Sequence, residues 1–388
     1  MNLREGMTMS PRLHRFTRHN TGSPVRTGHT SPINPALMIG MAVGLSLFGL
    51  AMIYNVSAIT ALTDFGDRYH YVREQSQWLV LAIISLISFS IMDYRKLYLL
   101  AVPILFGCII LLFAVFIPGL GIHAYGATRW LNLGFMTLQP TEFAKLALII
   151  YLAAWFSTKE RRRLLSFVIL MTLIIGPVVL QPDLGSAVVI VVLSLALYFL
   201  SGAPLWQFGA LIPVIIGFVG VLAISAPYRL ERIKTFLNPN LDPQGTSYHL
   251  RQILIALGTG GWLGVGLGKS RQKFAYLPEV TTDSIFAVIS EEVGLIGATL
   301  LMVAFLAMLL QGIRIAQHAP DRFGVLLAGG LVVTLSFQVL LNLGAMVSLV
   351  PLTGIPLPFV SYGGSNLVIS CTMVGILTSI ARSTKKSA

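Results

Sequence analysis

Tyr276–Glu292 reads YLPEVTTDSIFAVISEE. It places four carboxylates, Glu279, Asp283, Glu291 and Glu292, around the apolar run SIFAVIS. A charged side chain at the centre of a bilayer costs about 3 kcal/mol on insertion scales. Acids kept beside hydrocarbon are therefore paired or used for chemistry. The rest of the chain supplies the hydrocarbon setting. Of its 388 residues, 55% are hydrophobic and only 11% charged, against about 25% charged in soluble domains. Mean hydropathy is +0.80. A spanning helix needs about 20 apolar residues, and such runs recur along the whole sequence. The expected fold class is all-α, a polytopic membrane protein of about ten transmembrane helices.

The runs fall in order. Met1–Asn34 is polar, with Arg4, Arg12, Arg15, Arg18 and Arg26 against Glu5, and reads as a disordered basic cytoplasmic tail. It is too long and polar to be a cleavable signal peptide. Spans are expected at 36–56, 77–92, 97–117, 141–156, 164–180, 184–200, 205–226, 283–310, 323–350 and 366–380. Between them lie a polar loop at 58–76 and an interfacial loop at 118–140 rich in glycine. The excursion at 227–282 is large, and its middle (248–267) is expected to be re-entrant or to hug the membrane. A Gly/Pro-rich loop follows at 351–365, and residues 383–388 form a short basic cytoplasmic tail.

With the N-terminus in the cytoplasm, the short basic segments DYRK (93–96), KERRR (159–163), 314–322 and the C-terminus all fall inside, as the positive-inside rule requires. The basic 227–282 loop falls outside. Long loops translocate regardless of charge, so its bases invite an anionic ligand on that face. The net charge of +12 therefore follows membrane topology and gives no sign of nucleic-acid binding. Cys108 and Cys371 lie in apolar runs and read as buried, reduced and structural, and the seven histidines show no metal-ligand spacing.

Each chemical residue has a structural alternative. Asp283 is either the first residue of a helix, stabilised by its dipole, or a lone base, with Glu292 falling on the opposite face of the helix. The absence of a carboxylate pair argues against a two-acid hydrolase. Glu142 and Lys145, at i and i+3, either neutralise one another or hold Lys145 toward a groove for an anion. Arg129 beside Trp130 is either a snorkelling interfacial anchor or a phosphate ligand. Lys269, Arg271 and Lys273 form either a solvated basic loop or a diphosphate site. Asp183, in Gln181-Pro182-Asp183, is an intramembrane acid that needs a partner. Gly363-Gly364 would let a helix unwind within the protein, and Ser365 beside them joins the substrate-binding set. Gly258–Gly268 lacks the Lys-Ser/Thr of a phosphate-binding P-loop.

Four blocks carry a resemblance: GATRWLNLGFMTLQPTEFAKL (126–146), QPDLGSA (181–187), GTGGWLGVGLGKSRQKFAYLPEVTTDSIFAVISEEVGLIG (258–297) and PLTGIPLPFVSYGGSN (351–366). Together they resemble the SEDS polymerases of bacterial cell-wall synthesis, the FtsW/RodA family, over residues 36–382. The GKSRQKF phrase is closer to FtsW, the division member. Where many relatives have His-Thr-Asp-Phe, this chain has Thr281-Thr282-Asp283-Ser284, which keeps the acid and alters its neighbours.

The resemblance implies a peptidoglycan glycosyltransferase in the bacterial cytoplasmic membrane, polymerising lipid II on the outer face and releasing undecaprenyl diphosphate. It implies Asp283 as the catalytic base, with Arg129, Lys145 and Glu279 as further sensitive positions. Trp130, Glu142, Arg271, Lys273 and Ser365 complete the expected substrate-binding set. The implied partner is a class B penicillin-binding protein transpeptidase, alongside other division or elongation proteins. A divalent cation, magnesium or manganese, is a further aid to the leaving diphosphate. No metal ligands are assigned and no organic cofactor is expected. Two competing readings are a flippase for the same precursor, which would need charges through the whole membrane thickness, and a non-catalytic division scaffold, for which Asp283→Asn would be harmless.

Overall fold

Proline at the first turn and a side chain to cap it start the first helix. Asn34 accepts from the Ala36 N–H at 3.1 Å, and α1 runs Pro35–Phe65 to a left-handed Gly66 whose N–H bonds Leu62 O. The computed structural model describes residues 34–124, 127–134, 136–158, 164–225, 227–238, 245, 247–273 and 277–387. The expected tail before Asn34 and the KERRR turn lie outside the described residues.

The helices continue with α2 (His70–Ile91) and α3 (Lys96–Ala114), then α4 (Pro140–Ser157), α5 (Leu164–Leu180), α6 (Leu184–Leu200) and α7 (Leu205–Ile224). After these come α8 (Pro227–Leu237), α9 (Tyr248–Gly260), α10 (Ile285–Gln317), α11 (Arg322–Met346) and α12 (Gly364–Ser387). A helix stands at each expected span. Among the described residues, seven helices (α1, α2, α3, α7, α10, α11 and α12) are long and apolar enough to cross a membrane, and α5 and α6 are shorter apolar helices. The architecture is that of a multi-pass, mostly helical membrane protein.

Four expectations are corrected. The 58–76 loop shrinks to residues 66–69, because α1 continues to its glycine stop. The interfacial loop is a three-stranded antiparallel meander of β1 (Gly121–Ala124), β2 (Ala127–Asn132) and β3 (Thr137–Leu138). The short last tail is helical as far as Ser387, since no breaker follows Ile380. The eighth span begins at Ile285, so Asp283 is a loop residue that precedes it.

The centre of the bundle is α4, which packs against α3, α6, α11 and α12. It is buried on nearly every side, from Thr141 to Phe156. That burial includes Glu142 and Lys145, 2% and 1% exposed, joined at 2.8 Å. An ion pair desolvated to this degree holds only because each charge has the other.

The helix α10 is broken at Gly294, where φ is 69° and ψ −172°. A break inside an apolar span frees backbone groups that hydrocarbon cannot solvate. The glycine-rich segment 258–268 supplies their partners. Val265 and Gly266 donate to Glu291 O and Glu292 O, each at 3.0 Å, and Leu295 and Ile296 donate to Gly261 O and Trp262 O at 2.9 and 3.2 Å. A Cβ on Gly294 would lie 2.3 Å from Gly264 N. The segment is therefore a backbone splice.

Two stability outcomes are expected in detergent thermal unfolding. Gly294→Ala loses more than about 2 kcal/mol, because a left-handed residue gains a side chain that overlaps backbone. Gly44→Ala, inside α1 with nothing within 4 Å, is neutral to slightly stabilising. Glu142→Gln or Lys145→Met alone loses about 3 kcal/mol by stranding the other charge, and the Glu142→Gln/Lys145→Met double variant recovers most of it. Equal losses from all three would remove the buried pair as their cause.

Candidate active site

One large cavity, about 840 Å³, collects most of the residues singled out in the sequence. Its wall includes Arg129, Trp130, Glu142, Lys145, Asp183, Glu279, Asp283 and Ser365. These come from five separated stretches: the β-meander, the start of α4, the α5–α6 turn, the loop before α10, and the start of α12. The cavity wall also contains the first residues of α4, α6 and α12 or the residues next to them, and α10 starts two residues after Asp283. Four helix N-termini thus converge on one space, and their unpaired N–H groups and dipoles favour negative charge there.

Asp283 is 8% exposed. It does not cap α10, whose N-terminus has no side-chain cap. The local fold fixes it from behind: Asn342 of α11 donates to the Asp283 carbonyl at 2.8 Å and to Ile355 O at 2.9 Å, tying two cavity loops together. Burial raises the Asp283 carboxyl to about 7, and the negative charge of Glu279 adds to this, while Arg232 and the Ser284 hydroxyl oppose it. Glu279, in left-handed backbone (φ 49°), accepts from the Thr282 hydroxyl at 2.9 Å. Thr282 is thus turned away from capping α10.

The cations differ in freedom. Lys145 is paired with Glu142, and the pair also lines the cavity, so the structural and groove-facing roles coexist. Arg129 donates to the carbonyls of Gln181 at 3.3 Å and Pro182 at 2.5 Å. Those two bonds leave three of a guanidinium's five N–H groups for other acceptors. Ser365 is half committed, since its hydroxyl accepts from the Gln139 N–H at 3.0 Å. At the rim, Tyr362 donates to Glu74 and Gly363 donates to Gln75, which fastens α2 to the 351–363 loop.

Arg271 and Lys273 are not in the cavity wall. Lys273 is buried and donates to Gly268 O at 2.6 Å and Asn55 Oδ1 at 3.0 Å, with Glu292 at 3.5 Å. Glu291 accepts from the Ser270 hydroxyl and from the Arg271 N–H. The GKSRQK phrase therefore neutralises the two acids on α10 beside the splice, while the Arg271 side chain is exposed. The basic residue that does reach the cavity from the large loop is Arg232. Asn342 was also missed, although a polar residue four after Gln338 and eight after Thr334 in an apolar helix was a readable signal.

Five carboxylates (Glu74, Glu142, Asp183, Glu279, Asp283) face three cations in this wall. Asp183 caps α6 through Oδ1 at 3.1 Å, and its buried Oδ2 has no hydrogen-bond partner among the described residues. Among the described residues no three His, Cys, Asp or Glu side chains cluster as a metal site. A divalent cation would fit here only if a ligand's own oxygens completed its shell, as magnesium commonly requires.

The family model for FtsW, RodA and SpoVE, described as a cell cycle protein, matches residues 35–386. Stage V sporulation protein E of Bacillus subtilis is 39% identical over 365 residues, covering 92% of this chain and 98% of that protein. A probable peptidoglycan glycosyltransferase FtsW of Geobacter metallireducens is 37% identical over 347 residues, covering 88% and 92%. Among solved structures, a chain from a peptidoglycan synthase complex that coordinates polymerization and crosslinking superposes with a TM-score of 0.72 at 25% identity, over 89% of this chain and 97% of that one. Thermus thermophilus RodA gives 0.65 at 25% identity, over 89% and 95%. The splice, the buried acids and the shared cavity thus belong to a chain that is a member of the FtsW/RodA/SpoVE family.

Proposed function

We propose that this chain is a peptidoglycan glycosyltransferase that polymerises lipid II at the outer face of the bacterial cytoplasmic membrane and releases undecaprenyl diphosphate. Relatives named as probable peptidoglycan glycosyltransferases, at 37–38% identity, support the general activity. The observation that carries the residue-level reading is the meeting of Asp283 with Arg129 and Lys145 in one cavity. The mostly FtsW- and SpoVE-named relatives favour a division-type role over elongation. The related synthase complex favours assembly with a class B transpeptidase. Ten spans with both termini inside remain the proposed topology.

The reaction joins a GlcNAc 4-hydroxyl to the anomeric carbon of a MurNAc and expels a lipid diphosphate, inverting α to β. A sugar hydroxyl is a weak nucleophile at neutral pH, so a base must hold its proton in the bound state, within about 3 Å. Asp283 is assigned that role. Its raised proton affinity places it near working pH, where a base is both ionised and strong enough to help. Burial sets that affinity and the charge of Glu279 adds to it. Arg129 and Lys145 are assigned to the diphosphate, with Arg232 in place of Arg271 and Lys273. The converging helix N-termini add to them. Trp130 and Ser365 line the same wall and are assigned to sugar or lipid contacts. A divalent cation, bound with diphosphate oxygens and Asp183, would offset the excess of carboxylates.

Glycan-strand synthesis from purified lipid II tests this. Asp283→Asn is expected to reduce the rate at least 100-fold, about the share of a general base, while the protein still folds. Unchanged ladders from that variant would remove Asp283 from the chemistry. Because the base must be ionised, the wild-type rate rises with pH and levels off above about 7. Glu279→Gln removes a repelling charge and moves that limb to lower pH. Arg232→Gln removes an attracting one and moves it higher. Shifts in the opposite directions would discard the assignment.

A further inference from the structure

Asp283 faces two cavities. Besides the large one, it lines a smaller space of about 300 Å³ with Glu231, Arg232, His249 and Glu279. A short chain of hydrogen-bonding groups also leads from Asp283 to His249, deeper in the wall of that space. The Ser284 hydroxyl lies 3.4 Å from Asp283 Oδ1, and His249 Nε2 lies 2.8 Å from the Ser284 oxygen. Ser284 holds the N-cap position of α10 without capping it, so its hydroxyl is available to both neighbours. His249 comes from the first turn of α9, which packs along α10. Among the described residues, the ionisable groups that line the small cavity with His249 are Glu231 and Arg232 on α8 and Glu279 and Asp283 before α10. The segment at 350–352 contributes the apolar Val350 and Leu352.

We propose that Ser284 and His249 are a proton relay that carries the proton collected by Asp283 out of the reaction cavity and into the smaller one. The inference rests on Asp283 being the base. In the step, protonated Asp283 gives its proton to the Ser284 oxygen while the Ser284 hydroxyl proton passes to His249 Nε2. The resulting imidazolium loses a proton from Nδ1 to water in the small cavity. One proton leaves, Asp283 is again a carboxylate, and Ser284 and His249 are both neutral, with His249 left as its Nε2–H tautomer, which must return to Nδ1–H before the next turnover. Burial and the nearby Arg232 hold His249 down at about 4, below Asp283 at about 7, so the imidazolium forms uphill as a transient carrier and gives its proton up at once. The relay lets the base reset without water crossing the substrate side, where water would compete with the sugar hydroxyl.

The test uses the full-length protein and lipid II with wild type, Asp283→Asn, Ser284→Ala, His249→Gln and His249→Ala. Ser284→Ala and His249→Gln are expected to lower kcat about tenfold, less than the loss of the base itself because Asp283 also borders the small cavity directly, with KM for lipid II unchanged within about twofold. The solvent deuterium isotope effect should rise, and added imidazole should restore His249→Ala. An activity-independent reading comes from the infrared carboxyl band of Asp283, assigned by its loss in Asp283→Asn. Its titration midpoint should move up in Ser284→Ala, because a hydrogen bond that favours the carboxylate is gone. If Asp283→Asn is as active as wild type, the base falls and the relay with it. An inactive Asp283→Asn beside wild-type kcat in both relay variants overturns the relay alone. A loss of rate that imidazole does not restore, with an unmoved infrared midpoint, also overturns it and leaves Ser284 and His249 a structural role.

Discussion

A backbone group inside hydrocarbon must find a partner within the protein, and the break at Gly294 is where this chain meets that demand most severely. Four main-chain hydrogen bonds from residues 261–266 close the break. The contact is backbone on backbone, so a side chain on Gly264 or Gly294 would overlap main-chain atoms. Glu291 and Glu292 sit immediately before the break. Their charges are held by Ser270, Asn55 and Lys273. The splice and the charge clamp thus fix the start of α10, and with it the loop that presents Asp283.

The cavity follows from a similar economy of polar groups. Helices that begin on one side of a membrane leave their first N–H groups unpaired there. Here the starts of α4, α6, α10 and α12 gather around one space with loops that bring Arg129, Glu279 and Asp283. The positive helix ends offset carboxylates that would otherwise repel an anionic ligand. The same low-dielectric wall that makes those charges costly raises the proton affinity of Asp283. A scaffold without chemistry would have no need of an acid in that position, since Asp283 neither caps its helix nor forms an ion pair among the described residues.

The sequence made the helices legible because apolar runs are long and turn signals sharp. Asp283, Arg129, Glu142 and Lys145 were legible because charges in apolar surroundings are conspicuous, and the structure brings them to one cavity. What it hid was pairing across the chain. Lys273 looked like a free base because Glu292 and Asn55 are distant in sequence. The role of residues 258–268 was hidden because their partners are carbonyls and N–H groups of α10, which leave no mark in composition. The β-meander was hidden by its length, since strands this short carry little periodic signal. Arg232 and His249 were lost among the other bases of a long loop, where only folding decides which ones reach the cavity.

Transport and polymerisation ask different things of the interior. Carrying a charged headgroup through the membrane needs compensating groups at every depth. On α4 the charges stop at Lys145, and the buried residues from Leu146 to Phe156 are apolar. The helix α6 carries no charge after Asp183, α10 none between Glu292 and Arg314, and α12 none before Arg382. The two acids on α10, Glu291 and Glu292, are already held by the clamp. Thr334, Gln338 and Asn342 on α11 are neutral, and Asn342 is committed to the cavity loops. The charged lining therefore crowds the helix starts at one end of the bundle. A diphosphate would be well held there and poorly accompanied any deeper, which suits a reaction carried out at one face of the membrane.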